Sequence, residues 1–540
     1  MLDASAYPDT FARDHLPPAN LWPVFDQKAL EAARYPKRMN AAVELLDSAV
    51  AHGFGERPCI RTMTEIWTYS ELLAKANQIA GVLVDDLSLV PGNRVLLRAP
   101  NSPILAACWL AVLKVGGIAV ATMPLLRARE LSYMIGKAKI DFALCDARLA
   151  EELRAVVAPS LKMLFFNTDG PDGLEARAAR KPDTFANVMV SHDDVALIAF
   201  TSGTTGPAKG TLHFHRDVLA ICDSWQPILK TTPDDVFAGS APFAFTFGLG
   251  ALLLFPMRHG ASSVLLEQAT ADGLLKAIRK HGVTTLFTVP TLYRSMTALA
   301  AGTHVSSLKM CVSSGEHLPA SVFENWRNAT GHRIVNSIGS TEMLHAFLAM
   351  PPDSARAGPV GVPLPGHQAM VVDENMQPVP VDTVGRLAVR GPTGCRYLED
   401  AERQEKYVRN GWNLTGDAFQ QDKDGLFWYH ARSDDMIVSA GYNISGAEIE
   451  EVLLDHPAVS ECAVVGVPDA ERGQIVKAFI VLVDGYDAGE PMTKILQDQV
   501  RNTVAPYKYP RAIEYCKSLP RTTSGKIQRN VLRDGAGGLV

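Results

Sequence analysis

The chain has 540 residues, of which 47% are hydrophobic and 20% charged. That balance belongs to a globular protein too long for one core, so two or more domains are expected. Lys plus Arg number 52 against 58 Asp plus Glu, a net charge of −6, and no basic cluster stands out, which argues against nucleic acid as a partner.

The opening stretch MLDASAYPDT has neither a basic start nor an apolar core, so it does not read as a signal peptide. Residues 94–100 predict a short apolar strand. Residues 103–117 begin with Pro and end with Gly-Gly, which predicts a helix. Its apolar run is broken by Lys114 and is shorter than the ~20 residues a bilayer needs, so a buried helix and no membrane contact are expected. Further strands are expected at 118–124, 139–146 and 194–200. Strands of buried type alternating with helices imply parallel sheets covered by helices, an α/β fold. The eight cysteines are scattered singly with no CxxC pair, which points to reduced thiols in a cytoplasm, against a disulfide framework or a zinc site. His213 and His215 have HxH spacing without an acidic or cysteine partner nearby, and read as surface or packing histidines.

After the strand at 194–200 comes TSGTTGPAKG, residues 201–210. Glycines let backbone N–H groups turn toward an anion and hydroxyls add donors, so a strand, this loop and a helix from Arg216 form a phosphate-friendly arrangement. It is not a Walker loop. Counted from Gly203, Ala208 stands at the second Gly position and Gly210 where the Mg-binding Ser or Thr belongs. Farther on, APFAFTFGLG places Phe243, Phe245 and Phe247 at alternate positions, which predicts one face of a strand.

From about Pro363 the texture turns to shorter strands and turns, a β-rich subdomain of the same large unit. Near Arg432 it changes again. Ser445 stands three residues before Glu448, a capping box that starts a helix. Strands at 461–469 and 477–484 and a last helix around 494–504 complete a compact αββα-like unit of small-domain size. The expected division is 1–433 for the large domain and 434–540 for a small α+β domain.

The phosphate loop resembles that of the adenylate-forming enzymes, which include acyl- and aryl-CoA ligases, luciferases and peptide-synthetase adenylation domains. Five more stretches resemble the family in the right order: SSGEHLP (313–319), IGSTEM (338–343), LTGD (414–417), ARSDDMIVSAG (431–441) and PRTTSGK (520–526). Together they run from about residue 200 to the end. The resemblance implies that ATP and Mg2+ are bound, that an acid is joined to the α-phosphate with loss of pyrophosphate, and that the acyl group passes to coenzyme A. Two anions must meet in that reaction, so positive charge and a metal are needed.

By the resemblance, Glu342 binds Mg2+ and Lys526 bridges the carboxylate and the α-phosphate. Thr201, Ser202, Gly203, Thr204, Thr205 and Gly206 grip phosphate together with Ser340 and Thr341, and Lys209 assists phosphate release or loop closure. Ser314, Gly315 and Glu316 wall the adenine slot with Ile338 and Gly339. Asp417 takes the ribose hydroxyls, and Arg432 contacts ribose or phosphate. Asp434 is the hinge on which the small mobile domain turns, removing Lys526 and bringing Gly441 beside the thiol channel. Two departures stand out: Ile338 replaces the tyrosine that many relatives stack on adenine, and Pro207-Ala208-Lys209 replaces a Pro directly before the Lys.

The stretches at 241–250, 338–348 and 431–446 resemble the benzoate-CoA and 2-aminobenzoate-CoA ligases more than the fatty-acid ligases. That implies an aromatic-acid pocket lined by Phe245, Thr246, Phe247, Ser314, Gly339, His345 and Ala346. A polar Ser314 and a small Ala346 favour an ortho-substituted ring such as 2-aminobenzoate. A ligase for fatty or short aliphatic acids is the alternative reading. A non-catalytic binding relative should have lost Lys526, Glu342 or Asp417, and all three are present. The expected partners are the small aromatic acid, ATP and CoA, with the chain a monomer or homodimer.

Overall fold

A computed structural model describes residues 2–25, 35–201, 208–299, 305–432, 435–439, 442–469, 472–504, 506–522 and 525–536. Among them the chain forms a large N-terminal part built on three big sheets and a smaller C-terminal part built on a three-stranded one. The fold class expected from the sequence is the one found.

The first sheet runs Lys209–Phe214, Val195–Thr201, Ile118–Thr122, Arg94–Arg98, Phe142–Asp146 and Lys162–Phe166. All neighbours pair in parallel except Lys209–Phe214, which turns back antiparallel on Val195–Thr201 with Lys209 opposite Thr201. The helix after the phosphate loop therefore does not follow directly. A strand intervenes, and the helix spans His215–Leu229. The second sheet has nine strands, with a parallel centre through Ile334–Gly339, Met310–Ser313, Thr285–Thr288 and Val236–Gly239. The third is antiparallel and contains Gly385–Arg390, Trp412–Gln421 and Phe427–Arg432.

Between the layers lies helix Pro103–Lys114, capped by the Ser102 hydroxyl and buried along its whole length. Its one charge is matched, since Lys114 Nζ donates to both oxygens of Asp47 at 2.7 and 2.6 Å. A buried ammonium persists only when paired in this way. No helix among the described residues is long and apolar enough to cross a membrane. The eight cysteines are all free, and only Cys516 is not fully buried.

In the C-terminal part, helix Gly446–Leu454 is capped by only half of the expected box. The Ser445 hydroxyl accepts from Glu448 N at 3.3 Å, while the Glu448 carboxylate is taken by Lys508 Nζ at 2.6 and 2.7 Å. The unit is also larger than αββα. Beyond helix Glu490–Thr503, strand Ala512–Tyr515 pairs in parallel with Gly473–Leu482, and a final helix spans Arg529–Ala536. That strand is four residues with no alternation to betray it.

Candidate functional site

Three segments that carry motif residues leave the carboxyl ends of parallel strands of the second sheet. They follow Val236–Gly239, Met310–Ser313 and Ile334–Gly339. Clefts at that end of a parallel sheet are where open α/β folds bind ligands.

On the phosphate side, Thr201 closes its strand, and its buried Oγ1 has no partner among the described residues. An orphaned hydroxyl there is an available donor. Ser340 caps the turn Thr341–Met343 by accepting from Met343 N at 3.3 Å. Glu342 is buried in that turn, and Tyr397 Oη donates to its Oε1 at 2.7 Å. No ion pair reaches Glu342 among the described residues, so its charge stays available to a hard cation, which prefers carboxylate oxygen. Lys209 places Nζ 5.7 Å from the centre of the Tyr397 ring. Gly339 is required by packing: a Cβ there would lie 2.5 Å from the His345 carbonyl oxygen.

Across the cleft stands the Asp417 pair. Arg432 Nη1 donates to Asp417 Oδ1 at 3.1 Å and to the Thr415 carbonyl at 3.0 Å. Gly416 makes room for this contact, because its φ is +77° and a Cβ would meet Arg432 Nη2 at 2.7 Å. Burial raises the Asp417 carboxyl above the ordinary range, with Arg432 and Lys526 opposing. Lys526 closes the hairpin-like turn in which Thr522 N donates to its carbonyl at 2.7 Å. Its side chain is open to solvent, within reach of the charges of Asp417, Arg432, Glu316 and Glu342. The surrounding protein lowers its pKa, with Asp417 opposing and Arg432 adding to the shift. Glu316 itself accepts from Thr291 Oγ1 at 2.9 Å, and Gly315 has a φ of +89°, where a Cβ would meet Val289 Cγ1 at an ordinary 3.8 Å. Ile338 packs half-buried beside Met343 and Phe347.

The acid side is assembled from rings. The segment expected as a strand is a turn followed by helix Thr246–Leu249, so alternate phenylalanines do not share a face. Pro242 and Gly248 decide this: a Cβ on Gly248 would lie 2.3 Å from the Ala241 and Pro242 carbonyls. Phe243 is buried in the core, Phe245 is half-buried at the helix start, and Thr246 is buried. Phe247 lies 5.9 Å from the Phe287 ring and 5.7 Å from His345. His345 is buried, with Phe255 edge-on at 4.7 Å, and Trp225 Nε1 donates to its Nδ1 at 2.9 Å. Indole can only donate, so Nδ1 is unprotonated and Nε2 carries the hydrogen, facing the Phe247 carbonyl at 3.4 Å. Burial pushes the His345 pKa down to about 3, so the ring is neutral. Ala346 is buried one position on, opposite Gly339. Ser314 is buried, and its hydroxyl donates to the Ser337 carbonyl at 3.0 Å.

The two parts meet directly. Arg294 Nη1 donates to the Ser460 carbonyl at 2.7 Å, and Ala320 N donates to Glu451 Oε1 at 2.9 Å. Ser202, Gly203, Thr204, Thr205, Gly206, Asp434 and Gly441 lie outside the described residues. Sequence reasoning missed Trp225, Phe255, Phe287 and Tyr397. None sits in a motif, and nothing local shows that Trp225 meets Phe287 and His345, 62 and 120 residues along the chain. His213 and His215 are both fully buried.

The chain matches two family patterns: AMP-binding enzyme over residues 48–396, and AMP-binding enzyme C-terminal domain over 448–526. It is 34% identical to the benzoate–CoA ligase of Thauera aromatica, covering 93% of this chain and 97% of that one. It is 33% identical to the 4-hydroxybenzoate–CoA/benzoate–CoA ligase of Rhodopseudomonas palustris, covering 92% and 94%. A crystal structure of an anthranilate CoA ligase in complex with anthranoyl-AMP superposes with a TM-score of 0.89 at 31% identity, over 94% of this chain and all of that one.

Proposed function

The chain belongs to the AMP-binding enzyme family and is an AMP-forming acid–CoA ligase, and from that premise we propose that it activates an aromatic acid of the benzoate type, with 2-aminobenzoate preferred. The observation that carries the aromatic reading is the shell of Phe247, Phe255 and Trp225 around a neutral His345, with Phe287 packed against all three rings. Flat apolar walls with a few fixed polar groups suit a flat ring. Phe245, Thr246, Gly339 and Ala346 complete this pocket. The ortho preference rests on Ser314. A hydroxyl donates once and accepts twice, and its hydrogen is committed to Ser337. What it offers a ligand is an acceptor, which an amino group satisfies.

In the first half-reaction a carboxylate oxygen attacks the α-phosphorus of ATP, the α–β anhydride bond breaks, and pyrophosphate leaves with the electron pair. Lys526 bridges the two anions with its ammonium. Thr201, the loop at 202–206, Ser340 and Thr341 hold phosphate, and Lys209 assists. Asp417 accepts the ribose hydroxyls while Arg432 steadies it. Ser314, Gly315, Glu316, Ile338 and Gly339 wall the adenine. Glu342 would hold Mg2+, which when bound neutralises phosphate charge. In the second half-reaction the CoA thiol gives up its proton to solvent, its sulfur attacks the acyl carbonyl, the acyl C–O bond to the phosphate breaks, and AMP leaves with the electron pair. The domains divide at 433/434, and the small one turns on Asp434 to exchange Lys526 for Gly441. The contacts of Arg294 and Glu451 belong to the adenylating arrangement, with Lys526 in the cleft.

The test is pyrophosphate release with ATP and Mg2+ on benzoate, 2-aminobenzoate, 2-hydroxybenzoate, phenylacetate, hexanoate and octanoate, each with and without CoA. Release that follows the benzoates and quickens with CoA is expected. Equal turnover of benzoate and 2-aminobenzoate removes the ortho preference, and turnover of the aliphatic acids alone removes the aromatic reading.

A further inference from the structure

We propose that Tyr397 and His213 are positioning residues that pre-set Glu342 for its cation, Tyr397 through the side chain and His213 through the backbone. The proposal rests on the reading of Glu342 as the cation's carboxylate.

Tyr397 Oη donates to Glu342 Oε1 at 2.7 Å, and both residues are buried. The choice of a phenol matters. An arginine or lysine in its place would fix the carboxylate but cancel its charge. A phenol fixes one oxygen and leaves the charge to a cation. Carboxylates that bind metals are commonly held in this way by a neighbouring hydrogen bond, and the neighbour sets the affinity.

The phenol is itself held. Tyr397 N donates to Gln404 Oε1 at 2.9 Å, and the buried Gln404 amide donates to the Leu21 and Cys395 carbonyls at 2.9 and 3.0 Å. The Tyr407 ring packs edge-on against Tyr397 at 5.7 Å, and its hydroxyl lies 3.4 Å from Ser340 Oγ, the cap of the turn that carries Glu342. A rotation of the Tyr397 ring would break its bond to Glu342 and its packing on Tyr407 together.

The second clamp acts on the main chain. His213 is fully buried, and its Nε2 lies 2.8 Å from the Thr341 carbonyl. A carbonyl only accepts, so Nε2 carries the hydrogen and the bond is a donation to the residue before Glu342. His213 stands on strand Lys209–Phe214, the strand by which the chain returns from the phosphate loop. Tyr397 is tied to the same strand. Leu212 N donates to the Arg396 carbonyl at 2.8 Å, and Leu398 N donates to the Gly210 carbonyl at 2.9 Å. Both clamps therefore refer Glu342 to the strand that begins at Lys209. That strand and the cation ligand are thereby held in one fixed relation.

The test measures Mn2+ binding by electron paramagnetic resonance, with α,β-methylene-ATP present and no acid, so that neither turnover nor acid choice enters. Glu342→Gln, Tyr397→Phe and His213→Gln are compared with the wild type. Tyr397→Phe keeps the ring and its packing and is expected to weaken Mn2+ about 10-fold. It should raise the KM for the ATP–Mg2+ complex while the KM for the acid stays within twofold. His213→Gln can still donate to Thr341 and should lose less than Tyr397→Phe. A merely structural role would lower the melting temperature and leave Mn2+ affinity of the folded protein unchanged. If Glu342→Gln weakens Mn2+ and Tyr397→Phe stays within twofold of the wild type, the clamp is overturned and the reading of Glu342 stands. If Glu342→Gln binds Mn2+ as the wild type does, that reading falls and the clamp falls with it.

Discussion

The phosphate side and the acid side of the cleft are built by different physics. On the phosphate side, short directional bonds fix Glu342, Ser340 and Asp417, and glycines admit close contacts at 339 and 416. On the acid side, rings from helix His215–Leu229 and from residues 247–255 surround one histidine, and a ring from strand Thr285–Thr288 packs against them. Directional bonds from backbone and small side chains demand particular residues at particular offsets, and that leaves contiguous motifs. Ring packing tolerates many solutions of similar volume, and it leaves no local pattern.

The largest effect should come from the residue that spans both sides. Lys526→Ala is expected to slow adenylation about 10²–10³-fold, the range for removing one preorganised electrostatic group. Conversion of synthetic acyl-adenylate to thioester should stay within a few-fold, as rapid-quench measurement of each half-reaction would show. If both halves fall together, Lys526 does not serve adenylation alone. The cleft that lowers the Lys526 pKa also sets a sign. The bridging ammonium is lost on deprotonation, so adenylation should fail at a lower alkaline pH than an ordinary lysine would impose. Lys526→Arg should move that limb upward.

This contrast explains what could be read from the sequence. The α/β class and most strands are legible as strand patterns, and Glu342, Asp417 and Lys526 stand out because each belongs to a contiguous loop motif. The alternate phenylalanines misled. Period-two spacing at 243–247 looks like a strand, but Pro242 and the backbone approach at Gly248 force a turn and a helix. The return strand Lys209–Phe214 was hidden because its partner, not its own composition, defines it. His213 reads from the sequence as a packing or surface residue; it is buried, and nothing local says that its ring meets Thr341, 128 residues away.

Next in size is Trp225→Phe, which tests whether ring packing or a bond orients His345. The change keeps an aromatic ring but leaves Nδ1 buried without its donor, a loss of about 1–3 kcal/mol. Denaturant unfolding should show it. The KM for the acid should rise and the KM for ATP should not. If the acid KM is unmoved, the indole bond serves stability alone.

The acid side also carries a pH signature. His345 has a folded pKa of about 3 against an ordinary 6.5. Between those values the unfolded chain takes up a proton that the native ring refuses. Stability is therefore full above 6.5 and declines as pH falls toward 3, by about 1.4 kcal/mol per pH unit for this group. In His345→Gln this contribution is absent. The stability gap between wild type and variant should narrow by that slope as pH is lowered from 6.5, measured by urea unfolding at fixed ionic strength. A constant gap would mean that His345 protonates without cost.

The smallest effect concerns the ring substituent. Ser314→Ala removes an acceptor but keeps the fold of its loop, because the bond to the Ser337 carbonyl is a single neutral one. A neutral hydrogen bond contributes about 0.5–1.5 kcal/mol net. The ratio of kcat/KM for 2-aminobenzoate over benzoate should therefore fall about 2- to 10-fold, mostly through the amino acid substrate. Benzoate itself should change little, since it has no group at that position to lose. 2-Hydroxybenzoate separates the donor argument from simple room. Its hydroxyl can donate to Ser314 as an amine does, so it should fall with 2-aminobenzoate, whereas 2-methylbenzoate should not. If all three ortho-substituted acids shift alike, Ser314 acts through volume, and the acid side is ring packing throughout.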